Sequence, residues 1–159
     1  MPPFERSSGR GAQPSEESRA AAAALYAQGH RLANQGLWAD AEAAFYESAQ
    51  LAPDASLPWL SAAVACFQQK RFTQASVAIE WALQAIPTRS TPESERGVDC
   101  AKAEDWRCVE EIFRRLLAKG SPETSTYLFL SFALIRLERF DEAFEQLVAG
   151  YQLELAGAS

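Results

Sequence analysis

Aromatic residues recur at an interval of 34 residues, and this spacing constrains the fold more than any other feature of the sequence. The four residues in register are Trp38, Phe72, Trp106 and Phe140. Because aromatic residues make up 11% of the chain, four of them at one fixed phase have a chance probability of roughly 0.0001. The spacing therefore indicates an internal repeat.

Apolar and small residues recur in the same register around each aromatic. The third residue after each aromatic is Ala41, Ala75, Val109 or Ala143, and the seventh is Phe45, Ile79, Phe113 or Leu147. The ninth residue before each aromatic is small, namely Gly29, Ala63, Gly97 or Ser131. Apolar residues three and four positions apart line one face of an α-helix. Each repeat is therefore predicted to contain two helices that pack against each other.

This pattern of a small residue, an aromatic, an alanine and a bulky apolar residue resembles the tetratricopeptide repeat (TPR), a helix-turn-helix unit whose copies stack into a solenoid. The resemblance implies an all-α, right-handed α-solenoid of four TPR-like repeats. Their predicted bounds are residues 22–55, 56–89, 90–123 and 124–157. The third repeat is degenerate, because its first helix, at residues 91–104, carries six charged side chains. We expect that helix to be short or loosely held.

Local signals predict where the elements begin and end. Residues 1–14 are rich in Pro, Gly and Ser and are predicted to form a disordered tail, which precedes a TPR-like domain at residues 15–159. Ser15 followed by two glutamates predicts a helix start, and this first helix should end near Gly36. Further helices are predicted at about residues 38–51, 59–69, 73–85, 106–118, 127–137 and 140–155.

The composition argues against several classes of protein. A net charge of −6 and a pI near 4.9 do not suit a surface that binds nucleic acid or anionic lipid. The longest mainly apolar stretch, residues 57–67, is shorter than the ~20 residues of a transmembrane helix. The first residues lack the order of regions of a secretory signal. Three cysteines at helical positions fit a reducing compartment, so we expect a cytoplasmic protein.

Few residues point to catalysis or to a cofactor. The chain has a single histidine, His30, and acid–base or nucleophilic chemistry generally needs an oriented partner for it. The cysteines are interpreted as packing residues of three different helices, and the spacing of Cys100 and Cys108 lacks the second close pair of a zinc site. No phosphate-binding loop is present. We predict no enzymatic activity, no metal and no cofactor.

The TPR resemblance also implies a binding surface. In that family the first helix of each repeat lines a concave groove, into which its fifth, ninth and twelfth positions point. The corresponding residues here are Tyr26, His30, Leu60, Val64, Phe67, Leu128, Phe132 and Ile135. They depart from the lysine and asparagines with which some TPR proteins clamp an acidic tail, and they suit an apolar peptide segment of a client protein. The alternative is that these side chains pack between neighbouring helices.

A narrower resemblance concerns residues 24–86. A Leu-Tyr pair at Leu25, the turn at residues 36–41 and the Ala-Cys pair at Ala65 resemble the small acidic TPR chaperones (class II) that hold translocator subunits of bacterial type III secretion. This resemblance implies a cytoplasmic chaperone or adaptor for a secretion client. The third repeat departs from the pattern of that family.

A structural subunit is the other functional class that the sequence supports. The last predicted helix has no capping helix after it and carries a candidate oligomer face formed by Phe144, Leu147 and Tyr151. Terminal repeats need a polar outer face to stay soluble. This helix would therefore dock on a partner or on a second copy, as in a homodimer.

Overall fold

The structure is a computed structural model that describes residues 13–87, 89–120 and 122–158. These residues form eight α-helices and no β-strand. The helices are α1 (Glu16–Asn34), α2 (Trp38–Leu51), α3 (Ser56–Gln68), α4 (Phe72–Ala85), α5 (Pro92–Lys102), α6 (Trp106–Ala118), α7 (Thr124–Arg136) and α8 (Phe140–Ala158). The prediction of an all-α fold is thus confirmed, whereas the predicted disordered tail lies outside the described residues apart from Gln13 and Pro14.

Consecutive helices pack together within two compact units. The first unit ends at Ala85, and in it α1 packs on α2, α2 on α3 and α3 on α4. The second unit begins at Ile86, and in it α5 packs on α6, α6 on α7 and α7 on α8. Each unit therefore contains two helical hairpins joined by a further helix–helix contact.

The four aromatic residues occupy equivalent places. Each is the first residue of a second helix: Trp38 begins α2, Phe72 begins α4, Trp106 begins α6 and Phe140 begins α8. The residue three positions later is completely buried in every case, as Ala41, Ala75, Val109 and Ala143. The residue seven positions later is at most 2% exposed, as Phe45, Ile79, Phe113 and Leu147. The 34-residue period is therefore a period of the core.

The small residues before each aromatic allow the two helices of a hairpin to approach closely. A Cβ atom added to Gly29 in α1 would lie 2.5 Å from the ring of Phe45 in α2. One added to Gly97 in α5 would lie 2.5 Å from the ring of Phe113 in α6. In the last hairpin, the hydroxyl of Ser131 donates to the carbonyl of Ala143 at 2.8 Å. A larger side chain at these positions would push the helices apart.

The turn within each hairpin also repeats every 34 residues. The residues at the turn have positive φ angles of 57–78°, and they are Gly36, Lys70, Glu104 and Glu138. The amide after each of them donates to a carbonyl five residues back, through Leu37 to Leu32, Arg71 to Cys66, Asp105 to Cys100 and Arg139 to Leu134 at 2.8–3.0 Å. This is the Schellman motif, which ends a helix with a residue in the left-handed conformation. Gly36 is the only glycine of the four, so the other three turns carry no obvious sequence signal.

Two helices begin three residues earlier than the sequence predicts. α3 begins at Ser56 instead of Trp59, and α7 begins at Thr124 instead of Tyr127. In α3 the cause is Pro58, which lies in the first turn, where its missing amide hydrogen costs no helical hydrogen bond. α8 continues to Ala158, three residues past its predicted end.

The first helix of the third repeat is short, as predicted. α5 has 11 residues, and only Gly97 and Ala101 are buried in it. Its start is well defined, because the hydroxyl of Thr91 accepts from the amide of Ser94 while the hydroxyl of Ser94 accepts from the amide of Thr91. This reciprocal arrangement is a capping box.

The interpretation of the cysteines as packing residues is right for Cys66 and wrong for Cys100 and Cys108. Cys100 in α5 and Cys108 in α6 form a disulfide with a Cα–Cα distance of 5.9 Å, while Cys66 is a buried free thiol. Cys108 lies in the first turn of α6. Its equivalents in the other second helices are Asp40, Gln74 and Glu142, which are polar and reach solvent. A cysteine at this position has no packing role, and the disulfide explains its presence.

The left-handed turn residues make a prediction about stability. Replacing Lys70 by Gly should raise the free energy of unfolding by about 0.5–1 kcal/mol, because glycine adopts positive φ without the Cβ penalty. Ala23→Gly, in the exposed interior of α1, should lower it by about 1 kcal/mol. Urea denaturation of both variants checks the assignment. A loss of stability in Lys70→Gly similar to that in Ala23→Gly would contradict the left-handed turn.

Candidate functional site

The predicted groove residues lie on three first helices. Tyr26 and His30 are on α1 and belong to the first unit, as does the α3 set of Leu60, Val64 and Phe67. Leu128, Phe132 and Ile135 are on α7, in the second unit. Spacings of four and seven residues place each set on one side of its helix.

Burial divides these residues into two groups. Leu60, Leu128 and Phe132 are at most 1% exposed, and Phe67 and Ile135 are 7% exposed. Tyr26, His30 and Val64 are half-buried. The first group contributes to the core, as the alternative interpretation predicted. The second group reaches solvent, His30 and Val64 from equivalent positions of α1 and α3 and Tyr26 from one turn before His30. We call these three residues the α1–α3 face.

Two members of the α1–α3 face form an aromatic cluster with a core residue. The Tyr26 and His30 rings meet edge to face with centroids 4.5 Å apart, and the His30 ring meets that of Phe45 at 5.1 Å. The Tyr26 ring lies 5.8 Å from the Phe45 ring. Partial burial lowers the pKa of His30 from its ordinary value of 6.5, because desolvation disfavours the imidazolium. At neutral pH the cluster is therefore uncharged and presents aromatic edges with two polar tips.

A second aromatic group, which the sequence did not predict as a unit, lies in the second unit. The rings of Trp106, at the start of α6, and Phe132, on α7, have centroids 5.3 Å apart. The guanidinium carbon of Arg136 is 5.6 Å from the Trp106 centroid and 5.3 Å from the Phe132 centroid. These are cation–π distances. The only sequence signal was the spacing of Phe132 and Arg136 by four residues on one helix.

A buried carboxylate fastens α2 to α3. Glu42 is 8% exposed and accepts from the guanidinium of Arg71 through both oxygens at 2.6 Å. One oxygen also accepts from the side-chain amide of Gln69 at 2.9 Å and from the thiol of Cys66 at 3.4 Å. The pKa of Cys66 is raised to about 12, mainly by burial. This thiol therefore stays protonated and unreactive at neutral pH, and the group is structural.

The same ion pair occurs in the second unit. The guanidinium of Arg139 donates to Glu110 at 2.7 Å, and these two residues follow Arg71 and Glu42 by 68 positions each. Arg139 also donates to Glu142 at 2.5 and 2.9 Å. Arg71 and Arg139 each follow a left-handed turn residue, in the second hairpin of their unit. Each donates to a glutamate in the second helix of the first hairpin, which is α2 or α6. Sequence comparison between the two halves could have found this pair.

The predicted oligomer face is only partly on the surface. Leu147 is completely buried at the core position equivalent to Phe45, whereas Phe144 and Tyr151 are half-buried. Leu153 and Leu155, near the end of α8, are 36% and 40% exposed. The exposed apolar surface of α8 therefore lies closer to its end than predicted.

The part of the chain that the structure describes contains no candidate metal site and no candidate membrane-spanning helix. Among those residues, no three His, Cys, Asp or Glu side chains lie together so that they could hold a metal ion. None of the described helices has both the length and the apolar character that crossing a membrane requires.

The aromatic cluster predicts a dependence of stability on pH. Because the pKa of His30 is lowered in the folded state, its contribution to stability is complete above the ordinary pKa of about 6.5 and is lost as the pH falls through the lowered value. His30→Phe, which keeps an aromatic ring, should remove this component. Urea denaturation at pH 8 and pH 5 checks it. An identical pH dependence in wild type and variant would contradict the assignment.

Comparison with known proteins adds no assignment. No protein-family model matches the chain, and no curated protein sequence matches it.

Proposed function

We propose that the chain is a non-catalytic protein-interaction module, a right-handed solenoid of four TPR-like repeats that binds an apolar peptide segment of another protein on its concave face. The observation that carries this proposal is the α1–α3 face. His30 and Val64 reach solvent from equivalent positions of α1 and α3, and Tyr26 reaches solvent one turn before His30.

The chemistry of the α1–α3 face indicates the kind of segment that it binds. Tyr26 and His30 offer aromatic edges at 4.5 Å from each other, and Val64 offers an aliphatic surface. Leu, Val or Pro side chains of an extended or helical segment would contact these groups, each large side chain contributing about 1.5–3 kcal/mol on burial. Loss of freedom on association offsets much of this gain, so we expect micromolar affinity at most.

A more specific proposal is a cytoplasmic chaperone or adaptor for a type III secretion client. It rests on the resemblance of residues 24–86 to the TPR chaperones of translocator subunits. Leu25 and Tyr26, which open that resemblance, lie next to and within the α1–α3 face. The client would be held through an apolar segment while it awaits export.

Charge substitutions on the α1–α3 face test the proposal. Tyr26→Glu with Val64→Glu should weaken binding to an array of apolar Leu-, Val- and Pro-containing peptides at least tenfold, because two buried apolar contacts are replaced by desolvated charges. Fluorescence titration of the bound peptides gives the affinities. Val77→Glu is the matched control, since Val77 is 44% exposed on α4, and it should bind like wild type. Binding that survives in the double variant with unchanged helicity would refute the site.

A second candidate function, a structural subunit that docks through α8, is favoured by the exposure of Leu153 and Leu155. α8 carries Asp141, Glu142, Glu145 and Glu154 and no basic residue. Pairing with a second copy of α8 would therefore bring like charges together, and a partner helix with Lys or Arg fits better.

Sedimentation distinguishes the two candidate partners of α8, which are a second copy of the chain and a partner helix with Lys or Arg. If two copies pair through this helix, the wild type should sediment as a dimer at micromolar concentration and Leu153→Glu with Leu155→Glu as a monomer, because the apolar contact is lost. Since charge repulsion between the helices is screened by salt, the dimer should strengthen at high ionic strength. A wild-type monomer at every salt concentration excludes self-association.

A further inference from the structure

The first helix of the third repeat has a thin core. α5 buries two residues, Gly97 and Ala101, as few as α1, whereas α3 buries nine and α7 buries eleven. The residue equivalent to Cys100 is completely buried in α3 and α7, as Cys66 and Leu134, whereas Cys100 itself is half-buried and bonded to α6. The disulfide thus stands at the place where the second and fourth repeats bury a core side chain.

The ion pairs of α5 have solvent-exposed cations. Glu93, at its start, pairs with Lys119 and lies 3.7 Å from Arg115. The side chains of Lys119 and Arg115 are 62% and 56% exposed, and ion pairs of this kind contribute little to stability. Apart from the disulfide, the fully buried contacts of α5 are those of Gly97 and Ala101.

α5 covers an apolar surface of the second unit. Gly97 lies against the ring of Phe113, which is 2% exposed and stacks on Phe129 at a centroid distance of 4.7 Å. Undocking of α5 would expose one side of the Phe113 ring, while Phe129 would still cover the other side. The position of α5 therefore controls access to this ring.

From these contacts we propose that Cys100 and Cys108 form a thiol–disulfide modification site whose oxidation state decides whether α5 is docked over Phe113. The substrate class is a low-molecular-weight thiol and its disulfide, such as glutathione. Both cysteines are half-buried, so a small thiol can reach them, and the rate of thiol–disulfide exchange depends on such access. The buried Cys66 takes no part.

The exchange balances in two steps. A glutathione thiolate attacks the sulfur of one cysteine, the protein S–S bond breaks, and the other cysteine leaves as a thiolate. A second glutathione thiolate then attacks the glutathione sulfur of the mixed disulfide and releases the first cysteine. Two electrons pass from two glutathione molecules to the protein, which gains two thiol protons, and oxidised glutathione is the product. Reoxidation by oxidised glutathione follows the same steps in reverse.

Hydrogen exchange of the whole chain tests the site. In the presence of oxidised glutathione the α5 amides should be protected, and after reduction with dithiothreitol they should exchange at least tenfold faster while α7 keeps its protection. Mass spectrometry after denaturing alkylation should count one free thiol in the first state and three in the second, in agreement with three cysteines. Three free thiols in both states, or equal protection of α5 in both, would overturn the proposal.

Two double variants separate the redox effect from a loss of folding. Cys100→Ser with Cys108→Ser should show fast exchange in α5 with or without reductant and unchanged protection in α7. Cys100→Leu with Cys108→Glu introduces the residues found at Leu134 and Glu142, and it should protect α5 regardless of reductant. Loss of protection throughout α6 to α8 in the serine variant, or fast exchange of α5 in the leucine variant, would contradict the assignment of α5 as the switched element.

Discussion

The close contact between a small residue of one helix and a large apolar residue of the next is the constraint on which the rest of the structure depends. Gly29 against Phe45 and Gly97 against Phe113 leave no room for even a Cβ atom. Close packing of this kind fixes the separation of the two helices in a hairpin. The Schellman turn then sets the direction of the return helix, so that each aromatic starts it at the same place.

Strong and weak repeats differ in what supplements this contact. In the first unit, α2 and α3 are additionally joined by the buried Glu42 and Arg71, and α3 is buried on nearly every side. In the third repeat, α5 has little core of its own, and a covalent bond to α6 takes the place of apolar packing. The same backbone geometry is therefore stabilised by different interactions in different repeats. The stability of α5 depends on the oxidation state of Cys100 and Cys108.

Much of the fold could be predicted from the sequence, because the period of 34 residues is a period of the core. The bounds of α2 and α6 agree residue for residue with the prediction. The positive φ angles of Lys70, Glu104 and Glu138 could not be predicted from residue type, because residues other than glycine rarely adopt them. Only their position in the repeat indicates this conformation. The candidate site was harder to predict, because a groove position and a core position have the same spacing. Only the packing of the folded chain distinguishes Leu60, which is buried, from Val64, which is half-buried.

The contact of Gly29 with Phe45 closes the first hairpin, and a double-mutant cycle measured by urea denaturation shows whether the two residues meet. Gly29→Ala alone should lower the free energy of unfolding by about 1–3 kcal/mol, because the added methyl group overlaps the ring. In a Phe45→Leu background the same substitution should cost close to nothing, which gives a coupling of at least about 1 kcal/mol. Costs that simply add would show that the two residues do not meet, and would contradict this account of the repeat.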